Sequence, residues 1–307
     1  MKDVEYVYAV SYIKTLENKM LTRSDMQTLI TADGIDPAKR FLRERGWIGE
    51  SAEELLKNEL ESAWTKAYEV CPEEAPIDLL LYENDFHNLK TVLKASVQNE
   101  KWEKMILSPY TAEPSAIEKA IKSKNTDELP EHLKSVTLEA YKLLTSTMDG
   151  QLAEIFIDKA EHIAVLEGAK KEKNDFLTGW AELLIELTDY KTAWRCARGN
   201  KARDFVKDAL IYPKDALINT ESAVIEEIKK NYPDADTETI GAFEKWCDNK
   251  KLAYAKTAKA GSFGFAPIVA FLIGKSFEVK AVRIILTCKE NGWGEEIIKE
   301  RLRDAYV

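Results

Sequence analysis

One helical pattern occurs three times in this chain and restricts the possible folds more than any other feature. Each copy has a carboxylate, a small or amide residue three positions later, and then apolar residues mixed with cations. Because an α-helix turns once in about 3.6 residues, the carboxylate and the apolar residues share one stripe, so each carboxylate should face inward. The three stripes are Asp85, Asn88, Leu89 and Val92; Asp189, Thr192, Ala193 and Cys196; and Glu278, Ala281, Val282 and Ile285.

The spacing of these stripes predicts a threefold internal repeat. The carboxylates follow one another at intervals of roughly 100 residues, longer than the period of the short solenoid repeats. We therefore expect three small helical domains rather than a stacked array, which also suits a chain of 307 residues. The predicted repeats cover residues 1–112, 113–212 and 213–307.

Helical periodicity dominates the rest of the chain as well. Sustained strand alternation and hairpin turn signals are absent from the sequence, so the fold class is predicted to be all-α. Ser24 is a candidate N-cap for a short helix. Ser51, followed three residues later by Glu54, is typical of a capping box before a long helix.

Composition and charge argue against several classes of protein. Forty-four basic residues against 53 acidic ones give a net charge of −9, which disfavours nucleic acid as a non-specific partner. No apolar run approaches the roughly 20 residues of a membrane-spanning helix. Residues 1–3 lead directly into an amphipathic segment without the apolar core of a signal peptide. These features predict a cytoplasmic protein.

The sequence contains no convincing catalytic, cofactor or metal motif. Gly274-Lys275-Ser276 resembles the end of a phosphate-binding loop, but Val269 stands where that motif needs glycine, and the residues fall inside a helical stripe. The histidines are far apart and are interpreted as solvated or locally hydrogen-bonded; they are His87, His132 and His162. The cysteines are scattered singly and are interpreted mainly as small buried hydrophobes; they are Cys71, Cys196, Cys247 and Cys288. No cofactor is expected.

The repeated carboxylates, Asp85, Asp189 and Glu278, allow two interpretations. They could be acid/base or metal-binding groups, but this would require three separate repeats to bring them together. Alternatively they are structural, because a buried carboxylate is costly unless its hydrogen bonds are met. Free N–H groups at helix starts are the most abundant donors in a helical fold. We predict that each carboxylate accepts hydrogen bonds from backbone N–H groups, or pairs with a cation, of a neighbouring element in its own domain.

Three tryptophans beside loop signals are candidate interface residues. Most aromatic side chains at helical spacing belong to the core, but Trp47, Trp102 and Trp293 lie where the helical pattern is interrupted. We predict them as possible contacts with a partner protein.

The C-terminal part of the chain contains a spaced set of residues: Gly264, Pro267, Ile268, Phe271, Lys275, Glu278, Lys280, Arg283, Ile284, Ile285, Lys289, Gly292, Glu296, Ile297 and Leu302. This set resembles the end of the C-type subunit of the V-type (A/V-type) rotary ATPases, called the d-type subunit in the eukaryotic enzyme. The segment from Asn84 to Lys90 resembles the first-domain signature of that family, and the opening Tyr6-x-Tyr8-Ala9 is also similar. Phe271 and Thr192 depart from the family pattern, which usually has tyrosine and asparagine there.

This resemblance implies a funnel of three similar helical domains around a pseudo-threefold axis. The wide mouth would receive the central shaft made by the D and F subunits, and the other end would rest on the membrane ring of proteolipid subunits. The protein would then be a non-catalytic rotor component, peripheral to the membrane through the ring, that links ATP turnover to proton or sodium transport. The alternative from a different class is a helical scaffold or adaptor that binds another partner; an all-helical enzyme ranks third.

Overall fold

The computed structural model describes residues 5–72 and 76–307, and this part of the chain contains α-helices, three short 3-10 helices and loops but no strand. The predicted all-α class is confirmed. The 3-10 helices are Pro76–Leu81, Glu103–Met105 and Asp215–Leu217. The α-helices are α1 (Val7–Glu17), α2 (Arg23–Thr31), α3 (Ile35–Glu44), α4 (Ala52–Val70), α5 (Tyr82–Gln98), α6 (Pro114–Ser123), α7 (Glu131–Thr147), α8 (Gly150–Lys171), α9 (Asp175–Arg198), α10 (Arg203–Ala209), α11 (Glu221–Asn231), α12 (Ile240–Ala258), α13 (Ala266–Glu290) and α14 (Glu295–Arg301).

Capping residues set the starts of two early helices. The Ser51 hydroxyl accepts from the Glu54 backbone N–H at 3.1 Å and the Glu54 carboxylate accepts from the Ser51 N–H at 3.1 Å, so the predicted capping box of α4 is confirmed. The prediction for Ser24 is wrong, because this residue lies inside α2 and Thr22 is the N-cap. Asp25 decides this: its carboxylate accepts from the Thr22 N–H at 2.8 Å and closes a second capping box.

The chain forms two compact units. The first contains Met1–Ile77 together with Glu244–Val307, and the second contains Asp78–Phe243. Residues from the beginning and the end of the sequence therefore share one unit. The repeat boundaries after residues 112 and 212 stay a prediction, since one compact unit can contain more than one repeat.

Helix α13 forms the centre of the first unit. Its buried residues occupy nearly every side, from Pro267 to Cys288, as expected of a helix enclosed by others. It packs against α1, α2, α3 and α4. Leu42 and Leu55 meet Val282 and Ile285 in a core where all four side chains are fully buried. Each such residue stabilises the fold by roughly 1.5–3 kcal/mol relative to exposure.

The second unit has its core between α5, α6, α7 and α8. Phe86 and Leu89 of α5 pack with Ile117 of α6 and Leu133 of α7, and all four are fully buried. Helix α9 packs against α8 and α11. This packing places the inward stripes of α5 and α9 next to loops of the same unit.

Candidate functional site

Asp85 of α5 is fully buried and holds the loop before α6. Its Oδ1 accepts from the backbone N–H groups of Thr111 at 2.8 Å and Ala112 at 3.1 Å. Its Oδ2 accepts from the Thr111 hydroxyl and lies 2.9 Å from Nε2 of His132. Both carboxylate oxygens thus have two partners each, which offsets the cost of burying the charge.

The neighbouring polar residues of α5 hold the same loop at two further points. Asn88, one turn after Asp85, donates to the carbonyl of Leu107 at 3.0 Å and accepts from its N–H at 2.9 Å. Asn84 donates from Nδ2 to the carbonyl of Pro109 at 2.7 Å. One turn of helix therefore determines the backbone position of residues 107–112.

His132 belongs to this site, although the sequence did not indicate it. Its ring stacks on Tyr82 with centroids 3.8 Å apart, and its side chain is only 7% exposed. The sequence predicts merely a solvated or locally hydrogen-bonded histidine, because a single His 47 residues from Asp85 carries no motif. The other two histidines are also hydrogen-bonded, His87 to the carbonyl of Met105 and His162 to that of Asp158 and to Thr188.

Asp189 of α9 repeats the arrangement in simpler form. Its two oxygens accept from the backbone N–H groups of Ile211 at 2.7 Å and Tyr212 at 2.9 Å. Burial raises the pKa of Asp189 above its ordinary value of 3.8, although the two N–H groups act in the opposite direction. Thr192, one turn later, is half-buried and has a hydroxyl at the position where Asn88 of α5 has an amide.

The raised pKa of Asp189 predicts a pH dependence of stability. A folded-state pKa above the unfolded value means that the native state binds more protons, so the contribution of Asp189 to stability is greatest below about pH 4 and falls as pH rises through the folded pKa. The advantage of the wild type over Asp189→Asn in free energy of unfolding should therefore be smaller at pH 7 than at pH 4. Urea unfolding of both proteins at the two pH values measures this, and an advantage that grows with pH would contradict it.

Glu278 of α13 is the third buried carboxylate. Its Oε2 accepts from the backbone N–H of Leu21 at 2.6 Å, and its Oε1 accepts from Lys275 Nζ at 2.6 Å. The same ammonium donates to Glu59 of α4 at 2.7 Å. The predicted backbone bond is present, but the prediction that the partner belongs to a neighbouring element of the same repeat is wrong for Glu278. Leu21 lies outside residues 213–307, and Lys275 lies on α13 itself, three residues before Glu278. The reason is that the start of α2 and α13 pack together in the first unit.

The charges of this cluster are mutually dependent. Burial raises the pKa of Glu278 above 4.5, against the opposing influence of Lys275 and the Leu21 N–H. Burial would lower the pKa of Lys275, but the carboxylates of Glu278 and Glu59 outweigh it and raise that pKa. The ammonium is therefore charged and holds two carboxylates from α4 and α13 together.

Arg283, by contrast, pairs with Glu53 at 2.6 Å on the surface, where ion pairs contribute little to stability.

The three sites share one geometry. In each, a carboxylate on a long helix binds backbone N–H groups of a short segment that immediately precedes another helix, where those groups have no intrahelical partner. The predicted acceptance of backbone N–H groups is therefore confirmed by the hydrogen bonds. The segments are residues 111–112 before α6, residues 211–212 before the 3-10 helix Asp215–Leu217, and Leu21 before α2.

The three candidate interface tryptophans differ in exposure. Trp47 is 4% exposed and packs in the core of the first unit, so it offers little surface to a partner. Trp102 is half-buried against the core of the second unit. Trp293 is 39% exposed, with the Arg301 guanidinium 4.6 Å above its ring. Of these three, Trp293 has the most accessible side chain.

Comparison with known proteins gives a match along nearly the whole chain. Residues 9–301 match the family model of the ATP synthase (C/AC39) subunit. The C-type subunit of the V-type sodium ATPase of Enterococcus hirae is 20% identical, with 99% of both chains aligned. The C-type subunit of the A-type ATP synthase of Methanosarcina mazei is 24% identical, over 97% of this chain and 92% of that protein.

The resemblance seen in the sequence is consistent with these matches. It rests on residues near both ends and in α5, and the family model covers α5 and α13 and begins close to the Tyr6-x-Tyr8-Ala9 opening. Among the helices of residues 5–72 and 76–307, none has the length and apolar character of a membrane span. The chain belongs to the ATP synthase (C/AC39) subunit family.

Proposed function

We propose that this chain is a non-catalytic component of the central stalk that couples a shaft made by the D and F subunits to a membrane ring of proteolipid subunits. In this role it passes rotation between ATP turnover and the transport of protons or sodium ions. The observation that supports the proposal most strongly is the match to the (C/AC39) family over residues 9–301, with relatives from a sodium ATPase and an ATP synthase.

The buried carboxylates suit a part that transmits torque. A coupling protein has to pass on force without local deformation, and close-packed helices do so better than mobile loops. Asp85, Asp189 and Glu278 each fasten the backbone of a segment to the side of a long helix. Loads applied to these segments therefore reach α5, α9 and α13 directly.

The environment of Lys275 supports a non-catalytic role. A phosphate-binding lysine has to be free to reach a nucleotide at the end of a glycine-rich loop. Here Lys275 lies in the middle of α13, is 4% exposed, and is engaged by Glu278 and Glu59. We expect the purified chain to release no phosphate from ATP above a buffer blank in a malachite-green assay. Robust phosphate release by the purified chain would overturn the non-catalytic assignment.

Co-purification tests the coupling role. The tagged chain is mixed separately with a D–F complex and with detergent-solubilised proteolipid rings, and the retained material is quantified against the tag alone. Retention of both is the expected result. If the chain retains neither the D–F complex nor the ring, the rotor assignment is wrong and a helical scaffold for another partner is left. If it retains only one of the two, a coupling role is contradicted.

Trp293 is the interface residue that this proposal favours among the three tryptophans. Trp293→Ala removes a large exposed aromatic surface, and aromatic residues dominate the energetics of many interfaces. We expect it to weaken retention of either the D–F complex or the ring while leaving the circular-dichroism spectrum unchanged. Trp47→Phe, at a buried position, is the matched control and should leave retention unaltered.

A further inference from the structure

The segment of residues 302–307 lies along one face of α12. It follows α14 and contains no regular secondary structure. Lys245 of α12 donates from Nζ to the carbonyls of Lys299 at 3.3 Å and Glu300 at 2.9 Å, just before the segment begins. The Asn249 side chain accepts from the backbone N–H of Asp304 at 2.9 Å.

Further contacts continue along the same face of α12. Asp248 accepts from Nε of Arg303 at 3.0 Å, and Lys256 donates from Nζ to the carbonyl of Ala305 at 2.6 Å. Positions 245, 248, 249 and 256 are spaced as one helical face. Side chains of α12 thus bind residues 299–305 at successive points, through the side chain of Arg303 and through the backbone at the other positions.

Tyr306 is the buried anchor of the segment. It is 4% exposed, and its hydroxyl donates to Oε1 of Glu17 in α1 at 2.8 Å. Its ring lies directly on Gly274 of α13, where an added Cβ would come within 2.4 Å of the ring. The Lys259 ammonium lies 4.9 Å from the ring centroid on another side. Only glycine at position 274 leaves room for this ring.

The phenol is suited to act as a permanent hydrogen-bond donor. Burial raises the pKa of Tyr306, and the Glu17 carboxylate raises it further, so the hydroxyl keeps its proton throughout the physiological range. Phenylalanine could fill the same space but would leave the buried Glu17 oxygen without this donor. The pocket therefore discriminates between tyrosine and phenylalanine.

A cavity of about 150 Å³ lies beside the segment. Residues 302–306 form one wall, and α2 and α13 form the others, with Glu278 and Leu21 among the lining residues. Apart from Tyr306 and the partly buried Leu302, the segment is attached by polar contacts: hydrogen bonds between side chains and backbone, and the ion pair between Arg303 and Asp248. Segments with few buried apolar contacts open most readily while the remainder of a protein stays folded.

We propose that residues 302–307 form a detachable strap, and that the groove bounded by α12, Glu17 and Gly274 is a peptide-binding site that takes this strap. The chemical class of its ligand is an extended peptide with the sequence Arg-Asp-Ala-Tyr, in which tyrosine provides the anchor. Detachment of the strap uncovers Glu17 and opens the cavity beside the Glu278–Leu21 hydrogen bond. The groove belongs to the isolated chain and does not depend on its role in the ATPase.

Peptide binding in trans tests the proposal. A chain ending at Arg301 is titrated into a fluorescein-labelled peptide of residues 302–307, and binding is followed by fluorescence anisotropy. We expect saturable binding by the shortened chain, about tenfold weaker binding of a peptide with phenylalanine at the Tyr306 position, and no binding of a scrambled peptide. A folded shortened chain that does not bind the peptide, or that binds both versions equally, would overturn the proposal.

Hydrogen exchange of the full chain tests the strap even where the shortened chain does not fold. Gly274→Ala places a methyl group against the Tyr306 ring, and we expect at least about tenfold faster exchange of the amides of residues 303–307 with α13 still protected. Gly150→Ala is the matched control, because a Cβ at that helical position meets no atom within 4 Å. Unchanged exchange in the strap, or equal acceleration throughout α13, would show that the segment is not a separate strap.

Discussion

Replacement of Asp85 by alanine is expected to lower the free energy of unfolding by about 4 kcal/mol. The substitution removes an acceptor of four hydrogen bonds and leaves the N–H groups of Thr111 and Ala112 without it in a buried region. An unsatisfied buried donor costs roughly 1–3 kcal/mol, so two donors account for most of the effect. Urea unfolding followed by circular dichroism at pH 7 gives the measurement.

Two variants separate the hydrogen bonds of Asp85 from the general effect of losing a carboxylate. Glu131→Ala removes a carboxylate that is 90% exposed and pairs with Lys134 in the same helix, so we expect a small change in the free energy of unfolding. Asp85→Asn keeps the shape of the side chain but places an amide NH₂ group opposite hydrogen-bond donors. We therefore expect it to lower the free energy of unfolding by more than half as much as Asp85→Ala does. A loss for Asp85→Ala no larger than that for Glu131→Ala would show that the loop is held by other contacts.

Lys275→Met is expected to lower the free energy of unfolding by about 3–5 kcal/mol, as is usual when one partner of a buried ion pair is removed. The variant leaves the carboxylates of Glu278 and Glu59 close together without their shared cation. Glu278 should then take up a proton more readily, because burial already raises its pKa and the opposing ammonium is gone. A native state that binds extra protons is favoured at low pH. The difference in free energy of unfolding between the wild type and Lys275→Met should therefore shrink as pH falls from 7 to 5.

A double-mutant cycle tests whether this loss of stability arises from the ion pair between Lys275 and Glu278. Lys275→Met combined with Glu278→Gln removes both charges and keeps an acceptor for the Leu21 N–H, so the double variant should be more stable than Lys275→Met alone. The matched surface pair is Arg283 and Glu53, for which the same cycle should give a coupling close to zero. Simple additivity of the two buried substitutions would rule out a strong interaction between them.

Local sequence features predicted several elements correctly because their causes are local. Ser51 and Glu54 are three residues apart, and the hydrogen bonds between them form within a single turn. The helical stripes likewise place Asp85, Asp189 and Glu278 inward whatever packs against them, and all three are buried. The start of α2 was predicted wrongly at Ser24, because Thr22 closes a capping box with Asp25 and so determines where the helix begins.

The partners of the carboxylates could be predicted by type but not by identity. Backbone N–H groups at a helix start were expected because a buried carboxylate needs donors and helices supply them. The choice of Leu21 for Glu278, 257 residues away, depends on how α2 and α13 pack in the first unit. No sequence feature pointed to His132 as part of the site, since its role arises only when α7 brings it against Tyr82 and Asp85.

The sequence by itself determined the all-helical class, the burial of three carboxylates and the resemblance to a family, because periodicity and motif act over a few residues. Only the tertiary structure decided which segments the carboxylates hold and that residues 302–307 lie against α12, with Tyr306 on Glu17. The physical reason is that these contacts join residues far apart in the chain. Their geometry follows from the packing of whole helices, which no short stretch of sequence specifies.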